Sequence, residues 1–239
     1  MRIKIVSPIF KPGGDPVEKK VFGQFVNQEE LVEYDDYGFR NVNWKQLDGL
    51  FINDEQLENC KVFSSREKIL EVLPKNGICA ELGVANGVLS HKILNINKPK
   101  KLILVDIMLQ KELPTEIDVV ESYNLNENCF IPKVVESIEG DSAEVMNQFE
   151  DNYFDWIFID TEHTEEQTNK ELQVCKNKIK HDGYIALHDY IRYIRVDDKN
   201  NYGVVDSVNR FLKENQDFEV VCLSLEPHMF NTIVLRRKQ

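Results

Sequence analysis

The apolar positions between residue 64 and the end of the chain form short runs separated by longer amphipathic stretches. Continuous apolar runs predict buried strands at residues 77–82, 101–106, 131–138, 154–160 and 184–189. Helical spacing and capping residues predict helices over residues 64–73, 87–98, 164–180 and 203–213. Two last strands, residues 218–223 and 232–235, are joined by a short connection that suits an antiparallel pair. Strands alternating with helices predict an α/β fold with a doubly wound, mostly parallel sheet.

Acidic residues stand at the carboxyl ends of the predicted parallel strands. Four of the five strands end in an acid, and the weakest one leads into a fifth: Glu81, Asp106, Asp160, Asp189 and Asp141. In open α/β sheets, ligands bind outside the carboxyl ends of the strands. We therefore expect these carboxylates to gather at one functional site.

A glycine-bearing turn follows the first of these strands. Gly83 and Gly87 are separated by three residues, and the amphipathic segment after them predicts a helix. Glycine lets the backbone approach a ligand closely, and a helix start presents N–H donors. The spacing differs from the Gly-x-Gly-x-x-Gly of dinucleotide-binding proteins. One wide turn favours a ligand with a carboxylate and an amine over one with two phosphates.

Composition narrows the class of protein. The 239 residues carry a formal net charge of -12 without a block of lysine and arginine, which argues against a general nucleic-acid binder. No apolar stretch approaches the roughly 20 residues of a membrane-spanning helix. Five widely spaced cysteines without Cys-x-x-Cys, and no secretory signal, predict reduced thiols in the cytoplasm.

Residues 1–63 begin with a strand-like alternation at residues 1–6, but residues 17–59 keep no helical or strand period and are rich in acidic and aromatic residues. We predict that residues 1–63 form an N-terminal extension to a main domain at residues 64–239. A lid or an oligomerisation arm is the favoured interpretation, and with it a possible homo-oligomer. A cover for the substrate is the alternative, because tyrosine, tryptophan and carboxylates also suit stacking on sugars.

The pattern Glu81-x-Gly83-x-x-x-Gly87 resembles the first motif of the class I S-adenosylmethionine-dependent methyltransferases. The resemblance covers about residues 64–239. It implies a Rossmann-like fold, with a seven-stranded, mostly parallel sheet, an antiparallel C-terminal edge pair and helices on both faces. It also implies S-adenosylmethionine as the cofactor. The residues that it assigns to cofactor binding are Glu81, Gly83, Val84, Asn86, Gly87, Ser90, Asp106, Asp141, Ser142 and Asp160.

Several of these polar residues have an alternative role. Asp106 would accept hydrogen bonds from the ribose hydroxyls, or it caps a helix at the strand end. Asp141, followed by Ser142, would contact the adenine edge, or the pair caps the following helix. Related metal-dependent enzymes hold the methionine carboxylate with a serine two positions after the second glycine. Here that position is Leu89, so either Ser90 or backbone N–H groups would replace it.

The segments from Asp160 to His163 and from His188 to Asp189 resemble the metal-dependent O-methyltransferases. Among them are the catechol type and, more closely, the macrolide-sugar type of the macrocin and mycinamicin methyltransferases. The resemblance implies Asp160 and Asp189 as metal ligands and His188 as a possible third. Oxygen ligands suit Mg²⁺, while a ligand nitrogen makes Mn²⁺, Fe²⁺ or another transition ion conceivable. His188 can equally orient a ligand or pack at the strand end.

His163 stands where the catechol enzymes have their base lysine, so the resemblance implies a catalytic base there, with Asp160 as the other catalytic residue. A metal ion that holds two neighbouring hydroxyls would lower the pKa of the attacking one. The alternative is that His163 begins the next helix and points to solvent. Glu171, farther along that helix, is expected at the surface.

These features predict an S-adenosylmethionine-dependent, divalent-metal-dependent O-methyltransferase that acts on a hydroxyl of a sugar, a glycosylated small molecule or a glycan. Residues 190–202 would recognise the acceptor, with Tyr190 and Arg192 as candidates. Two alternatives keep the same scaffold: chemistry of the hydroxylase type, or a cofactor-binding module without catalysis. The missing Gly-x-Gly-x-x-Gly motif disfavours an NAD-dependent oxidoreductase.

Overall fold

The computed structural model describes residues 51–108, 134–191 and 202–238. These residues all belong to one compact unit, Leu50–Gln239. The predicted lid or oligomerisation arm lies in large part outside the described residues, and so do Arg192 and most of the predicted acceptor loop. The division of the chain at residue 63 stays a prediction.

The described residues form eight strands and five α-helices. The strands are β1 (Lys61–Phe63), β2 (Ile78–Leu82), β3 (Lys101–Asp106), β4 (Val135–Glu139), β5 (Phe154–Ile159), β6 (Ile179–Leu187), β7 (Phe218–Ser224) and β8 (Ile233–Arg237). The helices are α1 (Arg66–Val72), α2 (Val88–Asn97), α3 (Ser142–Asn147), α4 (Glu165–Lys178) and α5 (Val204–Glu214). None of these helices is long and apolar enough to cross a membrane.

The strands form one sheet in the order β1-β7-β8-β6-β5-β2-β3-β4. Only β8 runs antiparallel to its neighbours, β6 and β7, and the other described pairs are parallel. The predicted α/β class, with a mostly parallel sheet and an antiparallel C-terminal pair, is confirmed. The sheet has one strand more than the resemblance implies, because β1 pairs with β7. β1 is largely exposed and has no apolar run that would have identified it.

Both faces of the sheet are covered, because alternate residues of each strand point to opposite sides. On one face, Ala80 and Ile157 belong to a core with residues of α3, α4 and α5. On the other face, Cys79 and Trp156 belong to a core with residues of α1 and α2. Burial on both sides explains why these strands are continuous apolar runs in the sequence. Polar residues are thereby concentrated at the strand ends.

Capping side chains determine where three of the helices begin. Ser65, Asp141 and Thr164 each accept a hydrogen bond from the N–H group three residues later, at the starts of α1, α3 and α4. The helix predicted up to residue 180 ends at Lys178. The reason is that β6 begins at Ile179 and includes the turn-like sequence around Gly183, which sequence reasoning placed before the strand.

Candidate active site

The carboxyl ends of five neighbouring parallel strands form one rim of the sheet. The order β6-β5-β2-β3-β4 places the strand-end acids side by side along this rim as Asp189, Asp160, Glu81, Asp106 and Asp141. Pairing keeps the ends level, since Leu82 is opposite Ile159 and Ile159 is opposite Leu187. The acids predicted to share one site therefore lie at the same edge.

Gly83 lets the turn after β2 pass directly against the end of β5. Its φ is +83°, and a Cβ at this position would lie 2.0 Å from the carbonyl oxygen of Asp160. Any side chain would push the two strand ends apart. Gly87, with φ of +75°, is the N-cap of α2. The exposed Asn86 lies in the same turn and accepts a hydrogen bond from the Val88 N–H group at 3.4 Å.

Glu81 is buried near the end of β2, with 1% of its surface exposed. The Ser90 hydroxyl donates a hydrogen bond of 2.5 Å to Oε2 of Glu81, and Ser90 itself is fully buried. Burial raises the pKa of Glu81 to about 8, against the opposing effect of the Ser90 hydrogen bond. Ser90 therefore supports Glu81 from inside the protein.

Asp106 closes the glycine turn from the neighbouring strand. Its Oδ2 accepts hydrogen bonds from the backbone N–H groups of Val84 at 2.8 Å and Ala85 at 3.0 Å. Its Oδ1 accepts a third from the N–H group of Met108 at 3.0 Å. The carboxylate thus holds the turn in place, and its remaining lone pairs are compatible with hydrogen bonds from ribose hydroxyls.

Asp141 and Ser142 occupy the start of α3. One oxygen of Asp141 accepts from the N–H group of Glu144 at 2.9 Å, as expected of a capping residue. The other accepts from the Gln167 side chain at 3.1 Å. Ser142 is buried, and its hydroxyl donates to Glu171. Capping is therefore what Asp141 does in this structure, while Ser142 faces inward.

The prediction that Glu171 lies at the surface is wrong. Its side chain is fully buried, and its carboxylate accepts hydrogen bonds from Ser142 and, at 3.0 Å, from Thr161. Burial raises the pKa of Glu171 above its ordinary value. The α4 sequence is polar at most positions, so no hydrophobic period indicated which face turns inward. Glu171 joins the start of α3 to the residue after Asp160.

Four side chains meet beyond the ends of β5 and β6. Nε2 of His163 lies 3.1 Å from Oδ1 of Asp160 and 3.0 Å from Oδ2 of Asp189. Nδ1 of His188 lies 2.8 Å from Oδ1 of Asp189 and 3.5 Å from Oδ1 of Asp160. The structure thus brings together all four residues that the sequence proposes for metal binding and catalysis. We call them the β5–β6 cluster.

His163 is directed into this cluster by its backbone and by an aromatic neighbour. Its φ of +65° is in the left-handed region that non-glycine residues rarely adopt, and Asp189 has a similar φ of +56°. The His163 ring stacks on Tyr202 with a centroid distance of 5.0 Å. Its carbonyl accepts a hydrogen bond of 2.8 Å from Gly203. The ring therefore faces the carboxylates, unlike the solvent-facing alternative.

The charges of the β5–β6 cluster stabilise one another. Burial by itself would lower the pKa of both histidines, but hydrogen bonds to Asp160 and Asp189 raise each to about 9. Burial would likewise raise the pKa of Asp189, but the two histidines hold it well below its usual range. The pKa of Asp160 is lowered for the same reason. Two carboxylates this close attract positive charge, which is why they favour the protonated form of each imidazole.

The cluster also has the chemistry of a metal site. Single ligand atoms of Asp160, His163 and Asp189 all lie within 4.8 Å of one another. Two carboxylates and an imidazole form a donor set that suits Mn²⁺, Fe²⁺ or a similar divalent ion, and Mg²⁺ less well. His188, the third ligand implied by the resemblance, contacts both carboxylates but falls outside this group of three.

Arg66, the first residue of α1, reaches the same rim. Its Nη1 atom lies 3.6 Å from Oδ2 of Asp160, and its side chain is 25% exposed. Sequence reasoning missed this residue, because an arginine in the first turn of a helix has the appearance of ordinary surface charge. The only signal for Arg66 in the sequence was that α1 lies directly before β2.

Tyr190 anchors the start of the predicted acceptor loop. Its hydroxyl donates a hydrogen bond of 2.7 Å to the side chain of Asn209 in α5. Its N–H group donates to the carbonyl of Asn231 at 2.9 Å. Both contacts hold the chain at the rim just beyond Asp189, and a role in acceptor recognition stays a prediction.

Comparison with known proteins gives a match over the part of the chain that carries this geometry. The family model described as a methyltransferase domain matches residues 80–190. The matched segment begins one residue before Glu81 and ends one residue after Asp189, so it contains every strand-end acid of the rim. The prediction of an S-adenosylmethionine-dependent methyltransferase is confirmed at this level.

Solved structures are similar to this chain at low sequence identity. A protein from Corynebacterium glutamicum superposes with a TM-score of 0.55 and 13% identity, over 73% of this chain and 81% of the other. A tRNA methyltransferase of B. subtilis gives 0.49 and 16%, over 74% and 67%. A ribosomal protein L11 methylase from Lactobacillus delbrueckii gives 0.48 and 14%, over 79% and 81%. Among curated proteins, none matches the sequence.

Proposed function

We propose that this methyltransferase transfers the methyl group of S-adenosylmethionine to a hydroxyl of a sugar, a glycosylated small molecule or a glycan, in a divalent-metal-dependent reaction. The observation that carries the proposal is the convergence of Asp160, His163 and Asp189, whose ligand atoms lie within 4.8 Å of one another. An alkyl hydroxyl is too weak an acid to ionise at neutral pH. Its methylation therefore needs a group that lowers its pKa, and a metal ion supplies that chemistry.

The three residues that would hold the ion are Asp160, His163 and Asp189. His188 would orient Asp189, because its Nδ1 lies 2.8 Å from Oδ1 of that carboxylate. This assignment exchanges the two histidines relative to the sequence expectation, in which His188 is a possible third ligand and His163 the base. Support for the exchange comes from the distances to the carboxylates: Nε2 of His163 lies 3.1 Å from Asp160 and 3.0 Å from Asp189, whereas Nδ1 of His188 lies 3.5 Å from Asp160.

We propose that the turn from Gly83 to Gly87 lies beside the methionine part of the bound cofactor, with Glu81 beneath that turn. Asp106 would accept from the ribose hydroxyls and Asp141 from the adenine amine. When bound, the cofactor would supply the methyl group: an acceptor oxygen would bond to the methyl carbon while the carbon–sulfur bond broke to leave a thioether, and the hydroxyl proton would pass to a base.

The experiment incubates metal-depleted protein with S-adenosylmethionine and a panel of free and nucleotide-linked sugars, with and without added Mn²⁺ or Mg²⁺. We expect a product heavier by one methylene unit, methylated on oxygen, together with S-adenosylhomocysteine, only when metal is present. Transfer that persists in EDTA would refute the metal dependence, and a methyl group on nitrogen would refute the acceptor class. An oxidised acceptor would indicate the hydroxylase alternative, and cofactor binding without turnover a binding module.

His163→Ala separates the two roles considered for His163. If the residue is a ligand, the variant loses bound Mn²⁺ together with activity. If it is only the base, Mn²⁺ binding is retained and turnover alone falls. His188→Ala is the matched control, and we expect it to weaken Mn²⁺ binding by about 10-fold to 100-fold. Cytoplasmic location and homo-oligomer formation stay predictions of the sequence.

A further inference from the structure

The methionine part of S-adenosylmethionine carries a carboxylate, and several of the donors that the sequence offers for it are already engaged. Ser90 is fully buried, and its hydroxyl donates to Glu81 over 2.5 Å. The N–H groups of Val84 and Ala85 donate to Asp106. A carboxylate placed among the acids of this rim also needs positive charge nearby, because like charges repel.

Arg66 is the residue that can supply this charge. Within the described residues, it is the only lysine or arginine with a side-chain nitrogen within 4.0 Å of the strand-end acids. Its charge also lowers the pKa of Glu81, so it acts on both β2 and β5 ends. The contact to Asp160 is a single ion pair of 3.6 Å, and the guanidinium makes no hydrogen bond within the described part of the chain. Most of its donors are therefore available to a ligand.

The backbone that carries Arg66 is fixed on two sides. Its own N–H group donates to Oε1 of Glu226 at 2.6 Å, and Glu226 is 9% exposed. The next residue, Glu67, forms an ion pair of 2.5 Å with Lys92 of α2, the helix that follows the glycine turn. The preceding strand β1 is held by β7. The guanidinium is thus presented at the rim by an ordered support, which reduces the entropy lost when it binds a ligand.

We propose that Arg66 binds the carboxylate of the methionine part of S-adenosylmethionine, in place of the serine used by related enzymes. The planar guanidinium can donate two parallel hydrogen bonds to a carboxylate, which a hydroxyl cannot do. The inference rests on the cofactor alone and is independent of the metal ion and of the acceptor. The proposal also gives a role to β1, the strand beyond the seven that the resemblance implies, because β1 sets the position of α1.

The test measures by calorimetry the binding of two ligands to metal-depleted protein. One is S-adenosylhomocysteine, and the other is its decarboxylated analogue, which keeps the amine. We expect the unmodified protein to prefer S-adenosylhomocysteine by about 10-fold to 100-fold, the range of a charge-assisted hydrogen-bonded pair. In Arg66→Met this preference disappears, because affinity for S-adenosylhomocysteine falls and affinity for the analogue is unchanged. Arg66→Lys should retain part of the preference.

Lys68→Met is the matched control, since Lys68 lies on the same helix, is 54% exposed and pairs with Glu71. It should keep the full preference for the carboxylate. If Arg66→Met lowers the affinity for both ligands equally, the role of Arg66 is structural and the proposal is wrong. If it lowers neither affinity, the carboxylate is bound elsewhere and the proposal is wrong as well. Each outcome is read from binding, so it is separate from any failure to find metal or hydroxyl methylation.

Discussion

The two halves of the rim use carboxylates in opposite ways. In the half formed by β2, β3 and β4, each acid accepts hydrogen bonds from neutral groups of the protein: Ser90 for Glu81, backbone N–H groups for Asp106, and a backbone N–H group and the Gln167 amide for Asp141. In the half formed by β5 and β6, Asp160 and Asp189 share histidines and, for Asp160, an arginine.

Glu81 and Asp189, one acid from each half, differ in the direction of their pKa shifts. Burial beside a neutral donor raises the pKa of Glu81 to about 8, whereas cationic neighbours depress the pKa of Asp189 despite its burial. In the first half, groups of the protein already donate hydrogen bonds to the carboxylates. A ligand can share these carboxylates by donating to their remaining lone pairs. The second half is a pair of charged acids that requires cations. This contrast is what distinguishes the proposed cofactor site from the candidate metal centre.

The substitution that we expect to have the largest effect on the difference between the two halves is Asp189→Asn. The substitution removes one charge from the β5–β6 cluster but keeps its shape, so we expect Mn²⁺ binding to be lost and methyl transfer to fall on the order of 100-fold or more. Calorimetry with Mn²⁺ and a radiolabelled transfer assay measure the two effects.

Asp141→Asn makes the same chemical change in the other half and serves as the control. The amide oxygen can still cap α3, so Mn²⁺ binding should be unaffected. Equal losses of Mn²⁺ binding in both variants would show that the two halves do not differ in the way described.

Much of this arrangement was predictable, because strand ends are marked in the sequence by an apolar run that stops at an acid. Parallel neighbours then align those acids without further information. The partners were less predictable. Arg66 and Glu171 belong to helices whose neighbouring residues are mostly polar, and which of them faces inward depends on tertiary packing that no local pattern encodes. The proposed exchange of roles between His163 and His188 depends on the left-handed backbone at His163, which no pattern in the sequence indicates.

The second prediction concerns the link between the two halves. Glu171→Ala removes the acceptor of Ser142, beside Asp141, and of Thr161, beside Asp160. Leaving the buried Ser142 hydroxyl and the partly buried Thr161 hydroxyl without this acceptor, next to a cavity, should lower the free energy of unfolding by about 3 kcal/mol. Urea denaturation followed by circular dichroism measures the change.

Two further variants test why Glu171→Ala lowers the free energy of unfolding. Glu171→Gln keeps the volume and one acceptor, so its loss should be about 1 kcal/mol. Glu166→Ala removes a carboxylate from an exposed position of the same helix, where surface substitutions have small effects, within about 0.5 kcal/mol. A loss in Glu171→Ala no larger than that in Glu166→Ala would mean that Glu171 does not hold the halves together.

The smallest effect is a pH dependence that comes from Glu81. Its pKa rises from an ordinary value of 4.5 to about 8 on folding, so the folded state binds the proton more tightly. The stability that this proton confers is fully present below pH 4.5 and is lost as the pH rises through about 8. The glutamine of Glu81→Gln has no proton to lose. The free energy of unfolding of this variant should therefore increase relative to that of the unmodified protein as the pH rises.

Between about pH 5.5 and about pH 7.5 the difference should grow by up to about 2 kcal/mol, from the linkage of pKa to stability. Urea unfolding at both pH values, without cofactor and in EDTA, measures it. Glu67→Gln is the control, because the hydrogen bond to Lys92 lowers the pKa of Glu67 to about 2, so its titration lies below this range and its difference from the unmodified protein should stay constant. A constant difference for Glu81→Gln would mean that Glu81 is already ionised in the folded protein. The two halves of the rim would then carry like charges, and the contrast between them would rest on hydrogen-bond partners alone.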